Sequence, residues 1–336
     1  MKKIAKLLMV CCFLLITFDF RVAAAVVGST DDAMTIGGGA RPIGMGRAFT
    51  AVSDDADGCF INPAGTAGLK GPQAMTMYTN LLEDIYYREY SVAIPTSFGT
   101  FGMGYITTGV NGISQQTTIT GESTNTDYYD SLFLVSYSTP LGRFFQYWNN
   151  VFAGINFKVF NRGYSGGTNQ YASGFSSDFG LKAILSPYLS LGLSAQNFLP
   201  VSLGGVIRLN SGAEESLSSI TKVGIAIRPA PLNRTLLIAV DTDFPAQSSR
   251  PVTSHLGIEW KPNNLMALRA GMDESIDAAT ATRKSWSPAY GISFGYGGLR
   301  IDYAYHPYYN DPGLATTYVS LSYIGQPWFA LKGRAE

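Results

Sequence analysis

Cysteine is nearly absent from this chain: its 336 residues hold three, Cys11, Cys12 and Cys59. The first two fall in a basic and then apolar leader, "MKKIAKLLMVCCFLLITF", which runs on to Ala23-Ala24-Ala25 and reads as a signal peptide over residues 1–25. Cys59 then stands alone, so no intramolecular disulfide staples the fold. A basic surplus is lacking too, since Lys+Arg and Asp+Glu are both 24, and a nucleic-acid partner is excluded on that ground. Histidine is limited to His255 and His306, neither with a second histidine or cysteine at ligand spacing, so no metal and no cofactor is expected. After the leader no apolar run reaches about eighteen residues, which excludes a membrane-spanning helix. A membrane-spanning barrel stays open, because its strands cross with about ten residues of alternating polarity.

What the chain does have is aromatics, at 13%, and 37 glycines. It also has alternation. In "RIDYAYH" Ile301, Tyr303 and Tyr305 share one face and Arg300, Asp302, Ala304 and His306 the other, since successive strand side chains point to opposite sides. In "VTSHLGIEWK" Val252, Leu256, Ile258 and Trp260 oppose Thr253, His255, Gly257, Glu259 and Lys261. In "VFAGINFKVF" Val151, Ala153, Ile155, Phe157 and Val159 oppose Asn156 and Lys158.

Fourteen such segments can be traced between residues 73 and 324, and their connections alternate in length. "TSF", "LSP", "APLN", "PNN" and "GG" are short; "NGISQQTTITGESTNTDY", "NRGYSGGTNQY", "LPVSLGGVIRLNSGAEESL" and "DESIDAATATRKS" are long and polar. Outer-membrane barrels have this asymmetry, with short periplasmic turns and longer outer loops. One connection, "LGRFFQYWNN", breaks the rule and is read as a longer turn with Phe144, Phe145, Tyr147 and Trp148 at the membrane interface. The expected fold class is therefore all-β: a transmembrane antiparallel β-barrel of fourteen strands, in contact with outer-membrane lipid. Lipid should face Leu299, Ile301, Tyr303 and Tyr305, and Val223, Ile225 and Ile227. The lumen should hold Lys158, Lys222, Asp241, His255, Glu259, Arg269, Arg300 and Asp302, whose mixed signs favour paired networks over a charge-selective pore.

One segment fits no strand: "GGGARPIGMGRAFTAVSDDADGCFINPAG", residues 37–65. Gly44-Met45-Gly46 lacks the third glycine and preceding strand of a dinucleotide loop. "DDADG" places Ser53 and Ala64 where a calcium loop needs carboxylates. Ser254 points away from His255, so no hydrolytic pair forms there, and Cys59 reads as a small packing residue. No enzyme is expected.

The segment resembles the N-terminal signature of the PorV/PorQ group, relatives of the FadL long-chain fatty acid transporters of bacterial outer membranes. The shared pattern covers Gly39, Ala40, Arg41, Gly44, Met45, Gly46, Ala48, Phe49, Ala51, Val52, Asp54, Asp55, Ala56 and Asn62 to Gly65. "LSAQNFLP", "LGIEWKPNNLMALRAGMD" and "GLRIDYAYHPYYNDPG" extend the resemblance over nearly the whole mature chain, while Ile61 stands where the group has Trp and Arg47 where Gly is common.

The resemblance implies a hatch: residues 26–72 folded into the lumen of a barrel over 73–325, with a C-terminal extension over 326–336 and both termini periplasmic. Its candidate gating residues are Gly44, Met45, Gly46, Phe49, Asp54, Asp55, Asn62, Pro63, Ala64 and Gly65. On local grounds "RAFTAV" is expected as a short helix, Asp54 as the cap of a following turn with Asp57 near its free amides, and Asn62-Pro63 as a helix or turn start. Two functions follow from the resemblance: passage of hydrophobic or amphipathic small molecules, or a secretion scaffold binding cargo or partner proteins through loops at Val110–Asp127 and Leu199–Leu217.

Overall fold

A computed structural model describes residues 37–81, 84–116, 123–165, 170–232, 234–247, 250–276, 284–308 and 311–327, and the two-residue strand β1 (Ser29–Thr30). The expected signal peptide lies outside the described residues, as does most of the C-terminal extension. In chain order the strands are β2 (Gln73–Leu81), β3 (Ile85–Thr96), β4 (Gly99–Gln116), β5 (Ser123–Pro140), β6 (Val151–Ser165), β7 (Gln170–Ser186) and β8 (Leu189–Gln196). They continue with β9 (Val206–Leu209), β10 (Glu214–Leu217), β11 (Ile220–Ile227), β12 (Leu236–Pro245), β13 (Thr253–Trp260), β14 (Met266–Ile276), β15 (Lys284–Tyr296), β16 (Leu299–Tyr308) and β17 (Asp311–Ile324).

Each of β2 to β7 pairs antiparallel with the next, β8 pairs with β11, and the series runs on to β17. Strand β17 then pairs back onto β2, Ser320 opposite Met77 and Ile324 opposite Gln73. This closes a fourteen-stranded antiparallel barrel, which leaves its full-length strands no free edge. Alternation sets the two faces. Along β6 Phe152, Gly154, Asn156, Lys158 and Phe160 are buried inside, while Phe157 and Val159 are 63% and 46% exposed outside. Leu299, Ile301 and Tyr303 on β16, and Ile225 and Ile227 on β11, likewise point outward and are exposed.

One rim, the turn end, carries the two-residue turns 97–98, 187–188 and 297–298 and the longer turn 141–150, whose Phe144, Phe145 and Tyr147 are exposed. At the other rim the wall rises higher than the sequence suggests. The expected loop Val110–Asp127 is largely strand, because β4 runs to Gln116 and β5 begins at Ser123, with a register shift between Val110 and Ile113. Its polar sequence shows no contrast between alternate residues, yet the described backbones pair, Ser114 opposite Asn125 and Gln116 opposite Ser123. The expected loop Leu199–Leu217 holds the β9–β10 hairpin. Strand β8 is only eight residues long, and β9 continues the wall beside β7 beyond it, Phe175 opposite Val206 and Ala172 opposite Leu209. Strand β1 pairs in parallel with β10 at this raised rim, and β17 finishes at the turn end; the two chain termini lie outside the described residues.

Residues 37–72 lie inside the barrel. The expected helix over "RAFTAV" does not form; short helices occupy Ala40–Gly44 and Gly58–Ile61, and a 3-10 helix Pro63–Gly68. Gly46 and Arg47 both have positive φ, 58° and 66°, and this left-handed pair reverses the chain just where a helix would have to begin. Ile43 and Phe60 join an apolar cluster with Met75, Met77, Tyr87 and Leu132 of the wall, and Met45, Phe49 and Val52 join another with Ala226, Leu237 and Ala239.

Candidate functional site

The lumenal segment is fastened to the wall by a closed ring of alternating charges. Arg41 reaches Glu259 through Nε at 2.8 Å and Nη2 at 3.0 Å. Glu259 accepts from Arg269 Nε at 2.7 Å, and Arg269 Nη1 meets Asp302 at 3.1 Å. Asp302 accepts from Arg300 Nε at 2.7 Å, Arg300 Nη2 meets Asp55 at 3.2 Å, and Asp55 returns to Arg41 Nη1 at 2.8 Å. Three cations and three carboxylates thus close on themselves, two members (Arg41 and Asp55) from the segment and four from β13, β14 and β16. Arg41, Glu259, Arg269 and Asp302 are all buried. Removal from water penalises each charge heavily, and its neighbours in the ring offset that cost, joined by Asp54 beside Arg41, Lys261 beside Glu259 and Ser293 between Arg269 and Asp302.

Burial alone would lower the Arg41 guanidinium, but Asp54, Glu259 and Asp55 together hold it well above its ordinary value. Burial raises the Asp54 carboxyl, and Arg41 at 2.6 Å outweighs it and draws it well below the carboxylate range. The Asp54 side chain is 38% exposed, so water screens this pair more than the others. Asp54 is therefore an ion-pair partner and caps nothing. Asp57 precedes the helix Gly58–Ile61 without a side-chain cap bond; its Oδ1 accepts from Ser91 Oγ at 3.0 Å. Burial, and then the nearby Asp55, push Asp57 well above the usual range, and burial pushes the Cys59 thiol up.

The backbone of the segment is gripped as well. Asp241 accepts from the amides of Phe49 and Thr50 at 2.7 and 2.6 Å. Lys182 donates to the carbonyls of Val52 and Ser53. Asn62 donates from Nδ2 to Thr50 O at 2.9 Å and to Leu181 O of β7 at 3.0 Å, and its Oδ1 accepts from Ala64 N at 3.1 Å. That last bond caps the 3-10 helix begun by Pro63. Ala64 is fully buried, and Gly65 lies so close to Ser53 that a Cβ there would collide with its backbone. The wall makes room with its own glycines. A Cβ at Gly154, Gly192 or Gly271 would strike the backbone of Pro63, Thr50 or Gly46 respectively, and Gly44 lies directly against Gly291.

The remaining residues expected in the lumen fall into two further groups. Lys158 pairs with Asp178 at 2.7 Å, and Asn156 bridges Asp178 to Cys59 O. Lys222 pairs with Asp243, His255 Nε2 lies 3.5 Å from Asp243, and His255 Nδ1 is 2.7 Å from Asp273. Asp273 also takes His306 Nε2 at 3.0 Å and Arg47 Nε of the segment at 3.2 Å. Asp273, Lys182, Asp178 and Glu89, which accepts from Gly39 N at 2.9 Å, are wall residues that the sequence reading missed. Strand parity offered a signal for Asp273, four residues beyond Arg269 on the same face.

No protein-family model matches the chain, and no curated protein matches it in sequence. Solved structures do match. The Pseudomonas putida toluene transporter TodX superposes with a TM-score of 0.57 at 13% identity, covering 89% of this chain and 99% of that one. The CymD monoaromatic hydrocarbon channel gives 0.59 at 12%, covering 86% and 97%. A Pseudomonas aeruginosa FadL homologue gives 0.54 at 11%, covering 90% and 100%. At such identities the likeness is one of fold, and it falls on the FadL side of the resemblance drawn from sequence; none of these structures bears on its PorV/PorQ side. The chain has the barrel fold of FadL-like proteins.

Proposed function

We infer that this chain is an outer-membrane barrel that passes hydrophobic or amphipathic small molecules through a lumen gated by residues 37–72. The observation that carries the reading is the closed charge ring: it holds a separate segment across the lumen by bonds that can break without disturbing the barrel ladder. The outward apolar face supports a membrane setting, since a barrel in lipid presents an apolar band about 25 Å tall. The solved barrels of like fold are described as a toluene transporter and monoaromatic hydrocarbon channels, which supports an apolar cargo. In this reading the turn end faces the periplasm, residues 1–25 are the leader, 26–72 the hatch, 73–325 the barrel and 326–336 an extension. The hatch moves as Arg41 and Asp55 leave Glu259 and Arg300, while Gly44, Met45 and Gly46 slide from their glycine-lined slot and Asn62 to Gly65 pivot on β7.

A reversible lock tests this. Thr66 Oγ1 of the segment and Ser138 Oγ of β5 lie 2.7 Å apart, so Thr66→Cys with Ser138→Cys places two thiols within bonding reach. In vesicles holding the double variant, uptake of a fluorescent fatty acid or an aromatic hydrocarbon is expected to stop on oxidation and return on reduction. Equal uptake in both states would reject hatch gating. The scaffold alternative rests on sequence resemblance alone; under it, deleting the raised-rim strands would abolish partner binding while the lock changed nothing.

A further inference from the structure

The outward face of β2 and β3 carries a guanidinium that no carboxylate among the described residues pairs with. Arg88 points outward and is exposed. Its guanidinium carbon lies 5.1 Å from the ring centre of Tyr86, two residues earlier on the same face, and 6.0 Å from that of Tyr78, its cross-strand neighbour on β2. Among the described residues no carboxylate pairs with Arg88, whereas Arg208, also outward, is paired with Glu214 at 2.7 Å. The rings hold the guanidinium by cation–π attraction and leave its N–H edge with no protein acceptor among those residues.

Position along the strand says where that edge sits. From Phe98, 69% exposed in the turn at the far rim, Arg88 is about ten residues away, the span with which a tilted strand crosses the hydrocarbon. Just below Arg88, Tyr90 and Tyr105 stack with centroids 6.4 Å apart, both outward. A cation in mid-bilayer would be costly, but at this level it meets headgroups.

We propose that Arg88, framed by Tyr78 and Tyr86, is a binding site for the phosphate of an anionic membrane lipid at the raised rim, the acyl chains lying on Tyr90 and Tyr105. Arginine suits this because its planar fork binds phosphate by two parallel hydrogen bonds while its faces stack on rings. The site rests on the reading that the barrel spans a membrane, and it is independent of any cargo.

The test uses the full barrel reconstituted in vesicles of equal phosphatidylglycerol and phosphatidylcholine. Flotation with the vesicles is scored first; a barrel that does not float rejects the membrane reading itself. Floating barrels are then released into mild detergent for native mass spectrometry. The expected result is one retained phosphatidylglycerol, favoured about fivefold over phosphatidylcholine, the order of one interfacial cation's effect. Arg88→Gln should bring the two lipids to parity, Arg88→Lys should restore part of the preference, and Tyr86→Leu should weaken it with the charge intact. Parity in the unaltered protein, or an undiminished preference in Arg88→Gln, overturns the site and leaves the membrane reading standing.

Discussion

Arg41 of the lumenal segment and Glu259 of β13 stand 218 residues apart in sequence and meet through two parallel hydrogen bonds of 2.8 and 3.0 Å. Removing one partner strands the other charge in a buried place, which costs about 3 to 5 kcal/mol. Glu259→Gln should therefore loosen residues 40–56 and leave the barrel closed. Faster amide exchange in those residues, with unchanged heat-modifiable gel mobility, checks it; unaltered exchange would mean the ring adds nothing. Arg41→Lys should behave like a loss, because an ammonium cannot make the paired bonds.

Asn62 serves two carbonyls and one amide at once. Asn62→Asp removes both Nδ2 donors and turns a carboxylate toward the carbonyls of Thr50 and Leu181. Each unsatisfied group costs about 1 to 3 kcal/mol. Uptake of an apolar probe should rise in this variant, while Asn62→Ala gives a smaller rise. Equal uptake in the parent and both variants would remove Asn62 from the gate.

At Gly271 the wall lies against the segment backbone at Gly46 and Met45, with no room for a Cβ. Gly271→Val keeps a residue suited to strands but puts methyl groups where that backbone lies, so the segment must lift. The expected outcome is a folded barrel whose segment is cut by protease from the lumen side. Protection equal to that of the parent would show that the wall flexes instead.

The raised Asp57 carboxyl sets a pH dependence. A carboxyl whose value is higher in the docked state than in the released one binds its proton more tightly when docked. Docking is therefore favoured in acid, and it weakens as pH climbs from the ordinary carboxylate range through the raised value. The protection factors of residues 57–68, taken against the intrinsic exchange rate at each pH, should be smaller at pH 8 than at pH 5, and Asp57→Asn, which cannot ionise, should flatten that fall. Asp54 works in the opposite sense, its depressed value making its contribution vanish as pH falls below the carboxylate range. A fall in protection of the same size in Asp57→Asn would assign the effect elsewhere.

Strand positions were legible because lipid and lumen impose opposite demands on alternate residues, and Ile301 beside Arg300 or Phe157 beside Lys158 displays them openly. Where both faces meet water the contrast fades, so the upper reaches of β4 and β5 and the β9–β10 hairpin read as loops. Parity told that Glu259 and Arg269 point inward. It could not tell that Arg41 lies between Glu259 and Asp55, since that depends on strand stagger around a closed wall. The segment's local grammar misled in part: "RAFTAV" has helical composition, but the left-handed turn at Gly46 and Arg47, with Asp241 and Lys182 gripping the backbone, dictates another path.

The segment's anchors have a consequence for the order of assembly. Ala40 N donates to Ser320 Oγ on the last strand, 280 residues later, and Ser320 stands opposite Met77 in the pairing that shuts the wall. Residues synthesised first therefore find their final partners last: until β17 has met β2 there is no enclosed place to enter. Contacts this distant in sequence form slowly. A chain stalled before closure would carry an undocked, apolar N-terminal tail, exposing Phe49, Val52 and Phe60 to whatever chaperone attends the unfinished barrel.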